Sequence, residues 1–150
     1  MKRFLAFAVL LILGAGAMIR LLPSDPADWH VDLAAADFQA RAHSTLACME
    51  PGHRYTPAGP ALATLAKLDK VALASPRTQQ LVASEGRITW VSRSLIWGFP
   101  DYTTAQVMPD GETLCLYARQ RFGPRDWGVN RARLQGWLQE ALGLNEAPDI

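Results

Sequence analysis

The stretch RQRFGPRDWGVNRAR, residues 119–133, holds five of the twelve arginines in this chain. Guanidinium groups at that density suit anions, because each offers five N–H donors in a rigid plane that matches a carboxylate or phosphate. The run straddles the point where a strand pattern gives way to a helical one. A helix N-terminus carries unpaired N–H groups and partial positive charge, so cations there are unfavourable by a few tenths of a kcal/mol to about 1 each. Compensating negative charge is therefore expected nearby. Asp126 lies within the run and, with Asn130, is a candidate cap for the helix. Asp101 is expected opposite Arg119 on a neighbouring strand. Arg121, Arg125, Arg131 and Arg133 remain as candidate ligands for an external anion: a small molecule, a lipid headgroup or an acidic envelope protein. The bland alternative has the two acids neutralise two arginines while the others lay their stems on Phe122 or Trp127. A catalytic alternative uses Asp101 or Asp126 as acid or base, with arginines holding an anionic substrate.

Other residue patterns are weaker. Ser92 and Ser94 flank Arg93, but no Gly-x-Ser-x-Gly elbow surrounds them. His43, Cys48 and His53 recur at intervals of five, which matches no zinc spacing and lacks a fourth ligand. No phosphate loop or dinucleotide fingerprint is present. The expectation is a protein with no metal and no cofactor, leaning away from an enzyme. The net charge of +1 supplies no global field for nucleic acid. Trp97 and Trp127 flank Gly98 and Gly128 near the basic turn. Core packing is the first expectation for them, and an apolar wall beside the arginines the second.

The elements that would position these residues begin with an apolar segment. Lys2 and Arg3 are followed by a run without charge from Phe4 to Ile19, then Arg20. Residues 1–22 are read as a signal anchor, a single-pass transmembrane helix with Arg20 snorkelling to the interface. Lys2 and Arg3 keep the start cytoplasmic by the positive-inside rule, which puts the remainder in the periplasm and makes the inner membrane its first partner. The alternative is a signal peptide cleaved near Ala17, with secretion to the periplasm. Residues 23–36 are a linker and docking segment, in which Trp29, His30 and Val31 meet the domain. In an oxidising compartment Cys48 and Cys115 are candidates for a disulfide; two buried free thiols are the alternative.

Residues 37–145 form the domain. ALATLAKLDKVALAS reads as a helix with Leu62, Leu65, Leu68 and Ala72 on one face, ended by Pro76. TQQLVAS, RITWVSRSLIW, DYTTAQVM and TLCLYARQR read as strands. A three-residue loop of Pro109, Asp110 and Gly111 would pair Val107 with Thr113, Ala105 with Cys115, Thr103 with Tyr117 and Asp101 with Arg119. A last helix carries Leu134, Trp137, Leu138, Ala141 and Leu142, and Gly143 stops it. The fold class is α+β: a transmembrane helix, then an antiparallel sheet of three to four strands with helices on one face.

ASPRT, ITWVSRSLIWGFPDYTTAQV and YARQRFGPRDWGVNRARLQGWL together resemble a bacterial and plant family known only as domain-of-unknown-function family 1499. The resemblance covers about residues 71–142. The anchor and WHVD are similar to its alphaproteobacterial, membrane-anchored branch. Ala118 and Gln120 stand where that family commonly has serines. The resemblance implies a domain boundary and no activity.

Overall fold

The computed structural model describes residues 1–52, 55, 59–123 and 125–150. Helix α1 (Lys2–Leu21) is followed by the single turn α2 (Pro26–Trp29), strand β1 (Thr45–Met49) and helix α3 (Ala61–Ala74). Strands β2 (Thr78–Ser84), β3 (Arg87–Arg93), β4 (Pro100–Val107) and β5 (Leu114–Gln120) lead into helix α4 (Val129–Leu142). The strands form one antiparallel sheet in the order β1-β5-β4-β3-β2. The class is α+β as expected, but the sheet has five strands, not three to four. The strand missed by sequence is β1, TLACM: a five-residue edge strand without clear alternation, which β5 recruits by pairing. Cys48 and Cys115 are direct partners in that ladder and are joined by a disulfide, with their Cα atoms 4.0 Å apart.

The expected register between β4 and β5 is wrong by one residue. Asp110 accepts hydrogen bonds from the amides of both Glu112 (2.9 Å) and Thr113 (2.8 Å) and from the Thr113 hydroxyl (2.6 Å). That capture draws Glu112 into the turn, and Met108 N–H donates to Thr113 C=O at 2.8 Å. The loop therefore spans Pro109–Glu112, and Val107 faces Leu114 while Tyr102 faces Arg119. A one-residue slip exchanges the two faces of a strand. Leu114, Leu116 and Ala118 consequently point to the helices, and Cys115, Tyr117 and Arg119 to the other side.

The helical side holds the main core. Leu65, Leu68, Val71 and Ala72 of α3 and Leu134, Trp137, Leu138 and Ala141 of α4 pack on Trp90, Ala105, Leu114, Leu116 and Ala118. Leu62 falls off this face and is exposed; Ala61 and Thr64 are buried instead. Trp90 and Trp137 meet edge to face at 5.6 Å, and their indole N–H groups reach Asp69 and Ser75. Gly143, at φ 64°, ends α4, and Leu144 N–H caps back to Gln139 C=O.

The opposite side of the sheet is covered by the segment after α1. The Trp29 ring stacks on Tyr102 at 3.7 Å, Leu33 packs on Cys115 and Tyr117, and Phe38 meets Tyr117 edge to face. β3 stops at Arg93, short of the run through Trp97 that the sequence suggested. Ser94 N–H donates to Phe99 C=O (2.9 Å) and Gly98 N–H to Ser94 C=O (3.1 Å), closing a tight loop. Gly98 takes φ 72°, a conformation that favours glycine.

Candidate functional site

The register places Arg119 away from Asp101, so the expected ion pair between them does not form. The Arg119 side chain is 2 % exposed and lies under the Trp29 segment. It donates to the Trp29 carbonyl, to Thr104 Oγ1 (3.1 Å) and to the Tyr117 carbonyl (3.3 Å). The guanidinium also lies 4.6 Å from the Tyr117 ring centre and 5.6 Å from that of Trp29. Burial pulls its pKa down to about 10, opposed by Tyr117, so it stays charged at neutral pH. No carboxylate pairs with it among the described residues.

The other four arginines of the run do not converge. Arg121 donates to the Pro23 carbonyl at 2.7 Å and lies 5.6 Å from the Phe122 ring. Arg131 pairs with Asp149 in the C-terminal tail at 2.7 Å. Arg133 takes the role sequence gave to Arg119: it pairs with Asp101 at 3.1 Å and donates to Asn130 Oδ1 at 2.6 Å. Arg125 is exposed. Asp126 caps α4, accepting from the Gly128 amide (3.0 Å) and the Asn130 amide (2.9 Å). Asn130 is fully buried, with its Nδ2 unpartnered. Burial raises the Asp101 pKa despite the attraction of Arg133. Both candidate catalytic acids are thus committed to structural partners.

Other residues singled out by sequence are also accounted for. Ser92 is buried against Thr78 at 2.8 Å, and Ser94 Oγ accepts from the Phe99 amide at 3.0 Å. Cys48 is consumed by its disulfide, and His53 lies outside the described residues. Trp97 and Trp127 are not core residues: they are 40 % and 87 % exposed.

Guanidinium groups do converge elsewhere. Arg20 from the last turn of α1, Arg77 from the start of β2 and Arg93 from the end of β3 line a cavity of about 270 Å³ with Gln79, Val91, Ser94, Leu95 and Gly98. Arg20 Nη2 donates to the carbonyls of Ile96 (2.6 Å) and Leu95 (3.3 Å). Arg93 Nη1 donates to Gly98 C=O and Arg77 Nε to Arg93 C=O, each at 3.1 Å. These bonds fix the three groups while leaving N–H donors over, and the lining contains no carboxylate. Gly98 makes the approach of Arg20 feasible, since a Cβ there would lie 2.5 Å from Arg20 Cγ. Sequence reasoning missed this set because the three residues are far apart in the chain. The sequence marks Arg20 only as the charged end of the apolar segment. A second basic groove, about 350 Å³, lies over Arg41 and Arg119, but Asp32 and Asp37 line it too and offset the charge.

A family model described as protein of unknown function (DUF1499) matches residues 23–141, and the chain belongs to that family. No curated protein matches the chain.

Proposed function

We propose that this member of the DUF1499 family is an extracytoplasmic binding module tethered to the inner membrane, and that its ligand is an anion. One observation carries the reading: the Arg20–Arg77–Arg93 cavity gathers three positive charges with no acid in its wall. Such an arrangement is stabilised by a bound phosphate or carboxylate and is under mutual repulsion without one. Arg121 and Arg125 extend the positive surface from the adjoining loop; Arg131 and Arg133, already neutralised, do not.

The compartment is supported by two features. Helix α1 is 20 residues long with mean hydropathy 2.3, enough to cross a bilayer or act as a signal anchor. Lys2 and Arg3 precede it, and the Cys48–Cys115 disulfide favours an oxidising space beyond it. Binding is preferred to catalysis because the cavity wall offers no carboxylate or imidazole as a general base.

The test uses full-length protein in detergent, titrated calorimetrically with inorganic phosphate and with a soluble short-chain phosphatidic acid. Arg77→Gln with Arg93→Gln is expected to weaken anion binding about tenfold or more, with the thermal midpoint little changed. Arg131→Gln with Arg133→Gln should lower the midpoint and leave affinity unaltered. The reading fails if wild-type protein binds neither anion, or if the Arg77/Arg93 variant binds as well as wild type. Binding of the lipid alone identifies a headgroup ligand, and equal binding of both a free phosphate.

A further inference from the structure

We infer that the loop Ser94–Phe99 is a second membrane contact, seated in the outer-leaflet interface of the same bilayer that α1 crosses. The inference rests on the anchor reading of α1 and adds a docking surface to it. At a rise of about 1.5 Å per residue, the 20 residues of α1 span about 30 Å, the thickness of a hydrocarbon core. The helix has no length to spare, so its last turn lies at the membrane boundary. The loop is fastened to that turn by the Arg20 hydrogen bonds to Leu95 and Ile96.

The depth of the loop follows from a contact higher up the helix. Gly16 is buried against Trp97, and a Cβ at Gly16 would lie 3.7 Å from the indole ring. Gly16 precedes the end of α1 by five residues, or about 7.5 Å of rise. The Trp97 ring therefore sits about 7.5 Å inside the helix end, in the upper acyl region just below the headgroup boundary, a depth that interfacial apolar side chains reach. The loop's chemistry suits that depth. Leu95 and Ile96 are 69 % and 71 % exposed, and the loop contains no acidic residue. The Leu95 and Ile96 carbonyls that would enter the interface already accept from Arg20, which limits the cost of drying them.

The rest of the domain is polarised to match. Phe99 and Phe122 lie 5.6 Å apart, and Arg121 N–H donates to Pro100 C=O, so the loop carrying Arg125 and the exposed Trp127 adjoins the first. Arg77 and Arg93 stand at this end too, level with headgroup phosphates. The turns at the opposite end of the sheet carry Glu85, Asp110 and Glu112 instead. At this end the exposed apolar side chains and arginines outweigh Asp126, while the far turns carry three acids, and this bias orients the domain with Trp97 toward the bilayer.

Full-length protein in phosphatidylcholine–phosphatidylglycerol vesicles provides the test, with part of the phosphatidylcholine brominated near the upper acyl chain to quench nearby indoles. The wild type is expected to lose roughly a tenth to a fifth of its emission, one interfacial ring among five tryptophans. Trp97→Phe should abolish most of that loss, and Trp97→Phe with Trp127→Phe the remainder. A parallel alkaline carbonate wash reports the anchor. Membrane retention with quenching that depends on Trp97 supports the inference. Retention with quenching absent, or unchanged in Trp97→Phe, overturns the inference and leaves the anchor standing. Release by carbonate overturns both.

Discussion

Arg119 and Arg133 are both withdrawn from water, and their charges are balanced by opposite means. Arg119 has carbonyl and hydroxyl oxygens and two aromatic faces, whereas Arg133 has the Asp101 carboxylate. The Asp101 side chain is only 17 % exposed, so desolvation raises its pKa even beside a guanidinium. A half-buried pair of this kind adds little net stability, but breaking it from one side is costly. Arg133→Met should therefore destabilise the domain by about 1–3 kcal/mol at pH 7. The sign of its pH dependence is fixed by the direction of the shift. A carboxyl whose folded pKa is raised is tolerated in its protonated form below the ordinary value of 3.8, and the penalty grows as pH rises through the folded value. The cost of Arg133→Met should thus shrink toward pH 4, and Asp101→Asn in the same chain should remove most of it. Urea denaturation of the wild type and the two variants at pH 4 and 7 checks this; a cost independent of pH would assign the loss to packing alone.

At the scale of elements, the segment after α1 acts as a strap. Its polar fastening runs through His30, whose Nε2 accepts from Arg87 Nε (3.1 Å) and from the Ser84 hydroxyl (2.9 Å). Nδ1 is then the N–H donor to Thr89 Oγ1 at 2.9 Å, and Thr89 continues to Thr104 and the Trp29 carbonyl. Burial, then the charges of Arg87 and Arg119, lower the His30 pKa from 6.5, consistent with a neutral imidazole. Asp32, 3.5 Å from Arg87, is the nearby acid. Stability contributed by a depressed imidazole is complete above pH 6.5 and is lost as pH falls through the folded value. The thermal midpoint should therefore fall between pH 6.5 and 5, and His30→Gln should start lower at pH 7.5 but decline less. Parallel slopes for the two proteins would remove His30 as the cause. Sequence exposed part of this layout. Trp29, His30 and Val31 announced a docking segment, and α3, α4 and four strands were legible from periodicity. The β4–β5 register was not, because it turns on one aspartate capturing two amides. The Arg20–Arg77–Arg93 cavity was not either, since it exists only after α1, β2 and β3 meet.

For the whole molecule, the consequence is a sheet whose central strands are covered on both faces: helices pack on one side and the strap on the other, while the edge strand β2 stays largely exposed. The strap also follows the apolar helix α1 directly, so the residues that join that helix to the domain are continuous with those that complete its second core. Removing α1 alone should leave that core intact, because α1 itself buries almost nothing. A chain beginning at Pro23 is therefore expected to be soluble, monomeric and cooperative in urea. A chain beginning at Ala42 loses Trp29 and Leu33, each 7 % exposed and each contributing about 2–3 kcal/mol by burial. It also uncovers Arg119, whose guanidinium exchanges the Trp29 carbonyl for water, so this cation adds little to the loss. The two burial losses together approach the lower end of the 5–15 kcal/mol or so that holds a small domain together. That truncation should aggregate or unfold, with Tyr102, Tyr117 and Val91 newly exposed. Solubility and urea midpoints of the two truncations decide the point. Equal stability would show that the strap is only a leash, and that the three-layered arrangement is not what holds the sheet together.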